Sequence, residues 1–258
     1  MKTIAPIMLL AMLWGSAEAA LKTETIEYKH GDAVLEGYLA YDDAVEGKRP
    51  GVAVVHEWWG LNPYVKKRVE QLAGLGYVAF ALDMYGKGKL TKDPKEATEW
   101  SAPFKNDRSF GRARAAAGLA VLKNHKLVDA RRIAAIGYCF GGTSVLEMAR
   151  GGADLAGVAS FHGGLDAPDP AKPGAVKAKV LVLAGGDDPF VPPAQVTAFE
   201  EEMRKAGADW QVHLYGGAAH SFTNPEADGY GLKGPAYNER ADRRSWEAMK
   251  VFFAEIFK

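Results

Sequence analysis

The 258-residue chain has one cysteine, no net charge and, past its first residues, no long apolar run. Each absence excludes something. A single cysteine cannot form an internal disulfide, so the fold must rest on its hydrophobic core, and Cys139 is either a free thiol or a link between chains. With 32 Lys plus Arg against 32 Asp plus Glu, no global field gathers nucleic acid or an anionic membrane, which favours a small-molecule partner. No run beyond the N-terminus reaches the ~18–20 apolar residues that a bilayer span needs. There is no internal repeat and no Gly/Ser-rich linker, so one domain is expected. An H-E-x-x-H zinc helix and the papain-type cysteine signature are also missing, and no metal or organic cofactor is expected.

What is present at the start is a leader-like segment. Lys2 is positive, residues 4–14 are mostly apolar, and Ala17-Glu18-Ala19 is a small-x-small pattern, an arrangement that resembles a secretory signal peptide. The expectation is a signal at 1–19, a domain at 20–258, and a mature protein that is exported to the periplasm or secreted, stays off the membrane and acts as a monomer.

Residues 25–28 and 34–41 alternate as an antiparallel hairpin should, with Gly31 and Asp32 between them. From residue 51 onward, short apolar runs at 51–55, 77–82, 132–136, 155–161, 180–184 and 210–215 alternate with helical periods at 63–75, 110–122, 142–150, 194–206 and 241–257. That pattern predicts a single-domain α/β fold with a mainly parallel sheet and helices on both faces. In the last helix Trp246, Met249, Phe253 and Phe257 form an apolar stripe that should dock on the sheet.

The chemistry concentrates around the cysteine. A strand ending at Ile136 runs into Gly137-Tyr138-Cys139-Phe140-Gly141-Gly142 and then into a helix. This strand, elbow and helix has the G-x-nucleophile-x-G form, whose glycines make room for a nucleophile held in a strained turn above the sheet edge. The helix N-terminus favours an anion there. A free thiol, with a pKa near 8.5, is only ~3% ionised at pH 7, so a base is needed. His220, in the loop after the last strand, is the histidine with the right place in the chain order, ahead of His30, His56, His125, His162 and His213. The loop Gly185-Gly186-Asp187-Asp188 could supply an orienting acid, and spacing alone leaves both Asp187 and Asp188 open. The order nucleophile, acid, histidine is that of α/β-hydrolases.

Glu57 lies in His56-Glu57-Trp58-Trp59-Gly60, where the first oxyanion-hole loop of such folds is expected; by position alone it is equally a solvated loop residue. The backbone N–H groups of Trp58 and Phe140 are the expected oxyanion donors.

Together, His56-Glu57-Trp58-Trp59-Gly60-Leu61-Asn62, Asp83-Met84-Tyr85-Gly86, Gly137-Tyr138-Cys139-Phe140-Gly141-Gly142, Asp188-Pro189-Phe190-Val191-Pro192 and His220-Ser221-Phe222 make the chain resemble the dienelactone hydrolase family. The resemblance implies a Cys139, His220, Asp188 triad acting through an acyl-enzyme on a small ester or lactone. It also implies that Glu57 contacts the resting cysteine and helps to deprotonate it. Family arginines that hold a substrate carboxylate are replaced, one position carrying Asn224 and the other region offering Lys87, which lacks the bidentate fork. Tyr85, Lys87, Tyr138 and Asn224 are the substrate-binding candidates, in a pocket expected to be lined by Trp58, Tyr85, Tyr138 and Phe140. Readings from other classes are a thiol-redox or peroxide-sensing protein, which would lack a resolving cysteine, and a non-catalytic binding member of the fold.

Overall fold

The N-terminal hairpin forms and extends beyond its apolar pattern: β1 (Leu21–His30) and β2 (Ala33–Asp42) pair antiparallel around Gly31-Asp32. The computed structural model describes residues 21–258, so the signal expected at 1–19 lies outside the described residues. After the hairpin come β3 (Arg49–Val55), α1 (Pro63–Gly74), β4 (Val78–Leu82), α2 (Pro94–Asn106), α3 (Arg108–Lys123), β5 (Val128–Tyr138), α4 (Phe140–Arg150), β6 (Gly157–Phe161), β7 (Lys179–Gly185), α5 (Pro193–Ala206), β8 (Trp210–Tyr215) and α6 (Glu239–Ile256).

The strands form one eight-stranded sheet in the order β1-β2-β4-β3-β5-β6-β7-β8, antiparallel at β1/β2 and β2/β4 and parallel from β4 to β8. The alternation of a single strand feeds two cores. Ala53 and Val55 of β3 pack on the side that includes Phe104, Leu119, Val145 and Phe199 from α2 to α5. Val52 and Val54 pack with Val65, Val69 and Leu72 of α1 and Met249, Phe252 and Phe253 of α6. Each fully buried aliphatic side chain of this kind contributes about 1.5–3 kcal/mol. Of the predicted C-terminal stripe, Met249 and Phe253 are fully buried, and the neighbouring Phe252 joins them.

The helix α2 was not expected. It starts on the Asp93 side chain, which accepts from the Lys95 N–H, with Pro94 in the first turn, but it carries Pro103 in its interior and buries only Ala97 and Phe104. A proline removes one backbone bond and reads as a break, and two buried positions make no visible stripe.

What the topology achieves is convergence. The carboxyl ends of β3, β5, β6 and β7 deliver Glu57, Cys139, His162 and Asp188, and the loop after β8 delivers His220, all to one edge of the sheet. No helix among the described residues is long and apolar enough to cross a membrane.

Candidate active site

Cys139 sits at φ 53° and ψ −115°, a left-side backbone that an ordinary side chain rarely adopts. The neighbouring glycines explain how the elbow closes. A Cβ on Gly137 would run into the carbonyl of Gly141, and one on Gly141 into the carbonyl of Val55. The Cys139 carbonyl then accepts from the Thr143 N–H and opens α4. The N–H groups of Trp58 and Phe140 have no acceptor among the described residues, which leaves them free for an oxyanion.

His220 bridges the thiol and a carboxylate: its Nε2 is 3.0 Å from Cys139 Sγ and its Nδ1 2.8 Å from Asp188 Oδ2. Because Asp188 accepts the Nδ1 proton, Nε2 is the nitrogen left to exchange a proton with the thiol. The rivalry between the two aspartates resolves in burial. Asp188 is buried, and its other oxygen accepts the Phe190 N–H at 2.8 Å, whereas Asp187 is exposed to solvent. Burial by itself pushes His220 down, but the Cys139 charge and the Asp188 hydrogen bond outweigh it, and the pKa is pushed up to about 10.

Glu57 is buried rather than solvated. Its two oxygens accept from Ser221 Oγ at 3.1 Å and Asn224 Nδ2 at 2.6 Å, and burial raises its pKa despite those donors. No hydrogen bond joins Glu57 to Cys139; the thiol is turned to His220, unlike the resting contact that the resemblance implied. His56, set aside at first, is fully buried beneath this loop: its Nε2 accepts from the Met84 N–H at 3.2 Å, which leaves Nδ1–H to donate to the Glu57 carbonyl. Burial lowers its pKa, so the ring is a neutral strut between the Glu57 loop and the Asp83-Met84-Tyr85 loop.

A cavity of about 320 Å³ opens over Cys139, His220 and Ser221, walled by Trp58, Trp59, Phe190, Tyr230, Leu232 and Pro235, with the exposed Lys233 as its one lysine, arginine or carboxylate. Trp59 and Tyr230 stack at 4.3 Å, and the Phe190 ring stands edge-on to His220 at 5.1 Å. Of the residues expected to line the pocket, only Trp58 does. Lys87 is held at the surface by Glu27 and Glu36 of the hairpin. Tyr138 is fully buried on the α1 and α6 side of the sheet, stacked on Phe161. Asn224 is fully buried against Glu57. Tyr85 lies in the opposite core, packed against His56 and Phe140. Chain order says which segment a residue is in, while packing decides where it points: Tyr85, Tyr138 and Asn224 are taken into the interior, and Lys87 by surface carboxylates. Among the described residues no three of His, Cys, Asp and Glu group as metal ligands.

A family model described as the dienelactone hydrolase family matches residues 35–257. A solved structure titled "m3DLH" is 43% identical, with a TM-score of 0.89 over 93% of this chain and 100% of that one. A dienelactone hydrolase-like promiscuous phosphotriesterase from metagenomic libraries is 38% identical, with a TM-score of 0.88 over 92% of this chain and 99% of that one. Among curated relatives, a probable 2-oxo-3-(5-oxofuran-2-ylidene)propanoate lactonase of a Bradyrhizobium species is 28% identical over 81% of this chain and 90% of its own length. With the family model spanning most of its length, the chain belongs to the dienelactone hydrolase family and is an ester or lactone hydrolase of the α/β-hydrolase fold.

Proposed function

We propose that the protein hydrolyses a small ester or lactone through a Cys139, His220, Asp188 triad and a thioester intermediate. The observation that carries this reading is the His220 ring, with Cys139 Sγ at 3.0 Å on one nitrogen and Asp188 at 2.8 Å on the other. In the reaction, the thiol proton already sits on His220 Nε2 as a thiolate–imidazolium pair, and the Sγ thiolate attacks the carbonyl carbon. The oxyanion forms towards the N–H groups of Trp58 and Phe140, each worth about 3–4 kcal/mol in comparable sites. Collapse breaks the C–O bond, and His220 Nε2–H protonates the leaving oxygen, which in a lactone stays attached as the ring-opened chain. His220 then takes a proton from water, whose oxygen attacks the thioester; the C–S bond breaks, the acid leaves, and the thiolate of Cys139 is restored beside protonated Nε2. Glu57, whose charge and that of His220 favour each other, is assigned the task of helping the thiol give up its proton by supporting the imidazolium.

The pocket supports a substrate with a flat apolar body against Trp58, Trp59 and Tyr230 and an anionic end near Lys233, which is in no ion pair among the described residues. The lactone for which the Bradyrhizobium relative is named carries such a carboxylate. Export by a cleaved segment 1–19 belongs to the same reading, and N-terminal sequencing of mature protein should begin at Ala20.

The test is hydrolysis of p-nitrophenyl acetate and a panel of lactones by wild type and Cys139→Ala, with and without a thiol alkylator. Loss of turnover in the variant and on alkylation is expected. Unchanged turnover in Cys139→Ala would remove the nucleophile.

A further inference from the structure

Among the described residues only Cys139, His162 and Ser221 outside glycine have positive φ, at 53°, 41° and 54°, and the first two are joined by a hydrogen bond. His162 ends β6 and is fully buried. Its Nδ1 lies 3.1 Å from the Cys139 backbone nitrogen, and its Nε2 lies 2.7 Å from Thr223 Oγ1. The Cys139 N–H is shared between the Phe161 carbonyl at 3.0 Å and Nδ1, and a backbone N–H can only donate, so Nδ1 is the lone-pair nitrogen and Nε2–H donates to the Thr223 hydroxyl. Thr223 is held from three sides. Its Oγ1 is 2.6 Å from Tyr64 Oη, and its carbonyl accepts from Arg68 Nη2 at 2.8 Å, the guanidinium being fixed in turn by Asp242.

Thr223 follows His220 by three residues, so this network joins the main chain of the nucleophile elbow to the loop that carries the base. The His162 ring also stands edge-on to the His220 ring, with centroids 5.4 Å apart. Burial holds His162 well below the usual histidine range, so a neutral ring, not a second cation, faces the His220 imidazolium.

We propose that His162 and Thr223 are positioning residues which set the separation of Cys139 Sγ and His220 Nε2, through the bond from His162 Nε2–H to the Thr223 hydroxyl. Neither touches the pocket. The inference rests on Cys139 and His220 acting as nucleophile and base, as proposed above.

The test compares Thr223→Val, which keeps the shape and removes the hydroxyl, with Thr223→Ser, which keeps the hydroxyl. Because the chain has one cysteine, the rate of alkylation by iodoacetamide across pH reports Cys139 alone. Thr223→Val is expected to lower kcat about 10- to 100-fold with KM within about twofold, as a small misplacement of reacting groups does. Its alkylation profile should move to higher pH by about one unit. Thr223→Ser should stay within about threefold of wild type on both readouts. If Thr223→Val fails to fold, His162→Asn reads the same link, since Asn Oδ1 can still accept from the Cys139 N–H but its short side chain cannot reach Thr223. A wild-type kcat and alkylation profile in Thr223→Val, or a loss in Thr223→Ser as large as in Thr223→Val, would overturn the inference. Turnover surviving in Cys139→Ala would defeat the nucleophile and leave the alkylation profile to decide the positioning.

Discussion

Asp188 holds His220 with one oxygen and its own turn with the other: Oδ2 accepts the ring Nδ1–H and Oδ1 the Phe190 N–H, both at 2.8 Å. The carboxylate bonded to His220 is thus itself fixed, whereas its neighbour Asp187 is exposed. Asp188→Asn should lower kcat by about 10²- to 10⁴-fold by disturbing the tautomer and the charge balance of the ring, whereas Asp187→Asn should stay within about twofold. The pH profile gives a second readout. His220 is pushed up to about 10, so kcat/KM should fall on the alkaline side near that pH as the imidazolium loses its proton. Removing the Asp188 charge removes support for the charged ring, so the alkaline limb of Asp188→Asn should move to lower pH.

Glu57 makes a prediction about stability rather than rate. Burial raises its pKa above the unfolded value near 4.5, so the folded state binds the proton more tightly. Its contribution is therefore fully favourable below that value and is lost as pH rises through the folded pKa. Glu57→Gln cannot ionise and escapes that loss. The Tm of Glu57→Gln relative to wild type should increase from pH 4 to pH 8 in thermal melts; a difference that stays flat or falls would mean that Glu57 is not a desolvated carboxylate.

Lys233 decides the kind of substrate. Exchange to Met should raise KM about tenfold for esters that carry a carboxylate and leave neutral esters of the same shape within about twofold, the size expected for one charge-assisted contact of about 1.5 kcal/mol. Lys233→Glu should reverse the preference. Equal effects on both substrate sets would make Lys233 a wall residue only.

Much of this was readable from the chain because its strands are short apolar runs buried on both faces. The strand and loop order followed from that alternation, and the elbow around Cys139 and the loop of His220 could be placed on it. The hairpin, six further strands and five helices lie where the periodicity puts them, while α2 hid behind Pro103 and its thin apolar face. Spacing could not separate Asp187 from Asp188, since the difference is which one the turn buries. Nor could it show that Asn224 and Tyr138 turn inwards or that Trp59 and Tyr230 meet across residues distant in sequence. His56 and His162 were passed over as histidines that merely close strands. In a sheet whose chemistry lies at its carboxyl edge, that position was itself the signal.

The central claim is that Cys139 carries the acyl group. The direct measurement is mass spectrometry of protein quenched in acid during turnover of p-nitrophenyl acetate, with peptide mapping of the adduct. The account predicts one acetyl group, placed on Cys139, that accumulates in Asp188→Asn or His220→Ala if deacylation slows and is absent in Cys139→Ala. An adduct on another residue, or full turnover by Cys139→Ala, would contradict it.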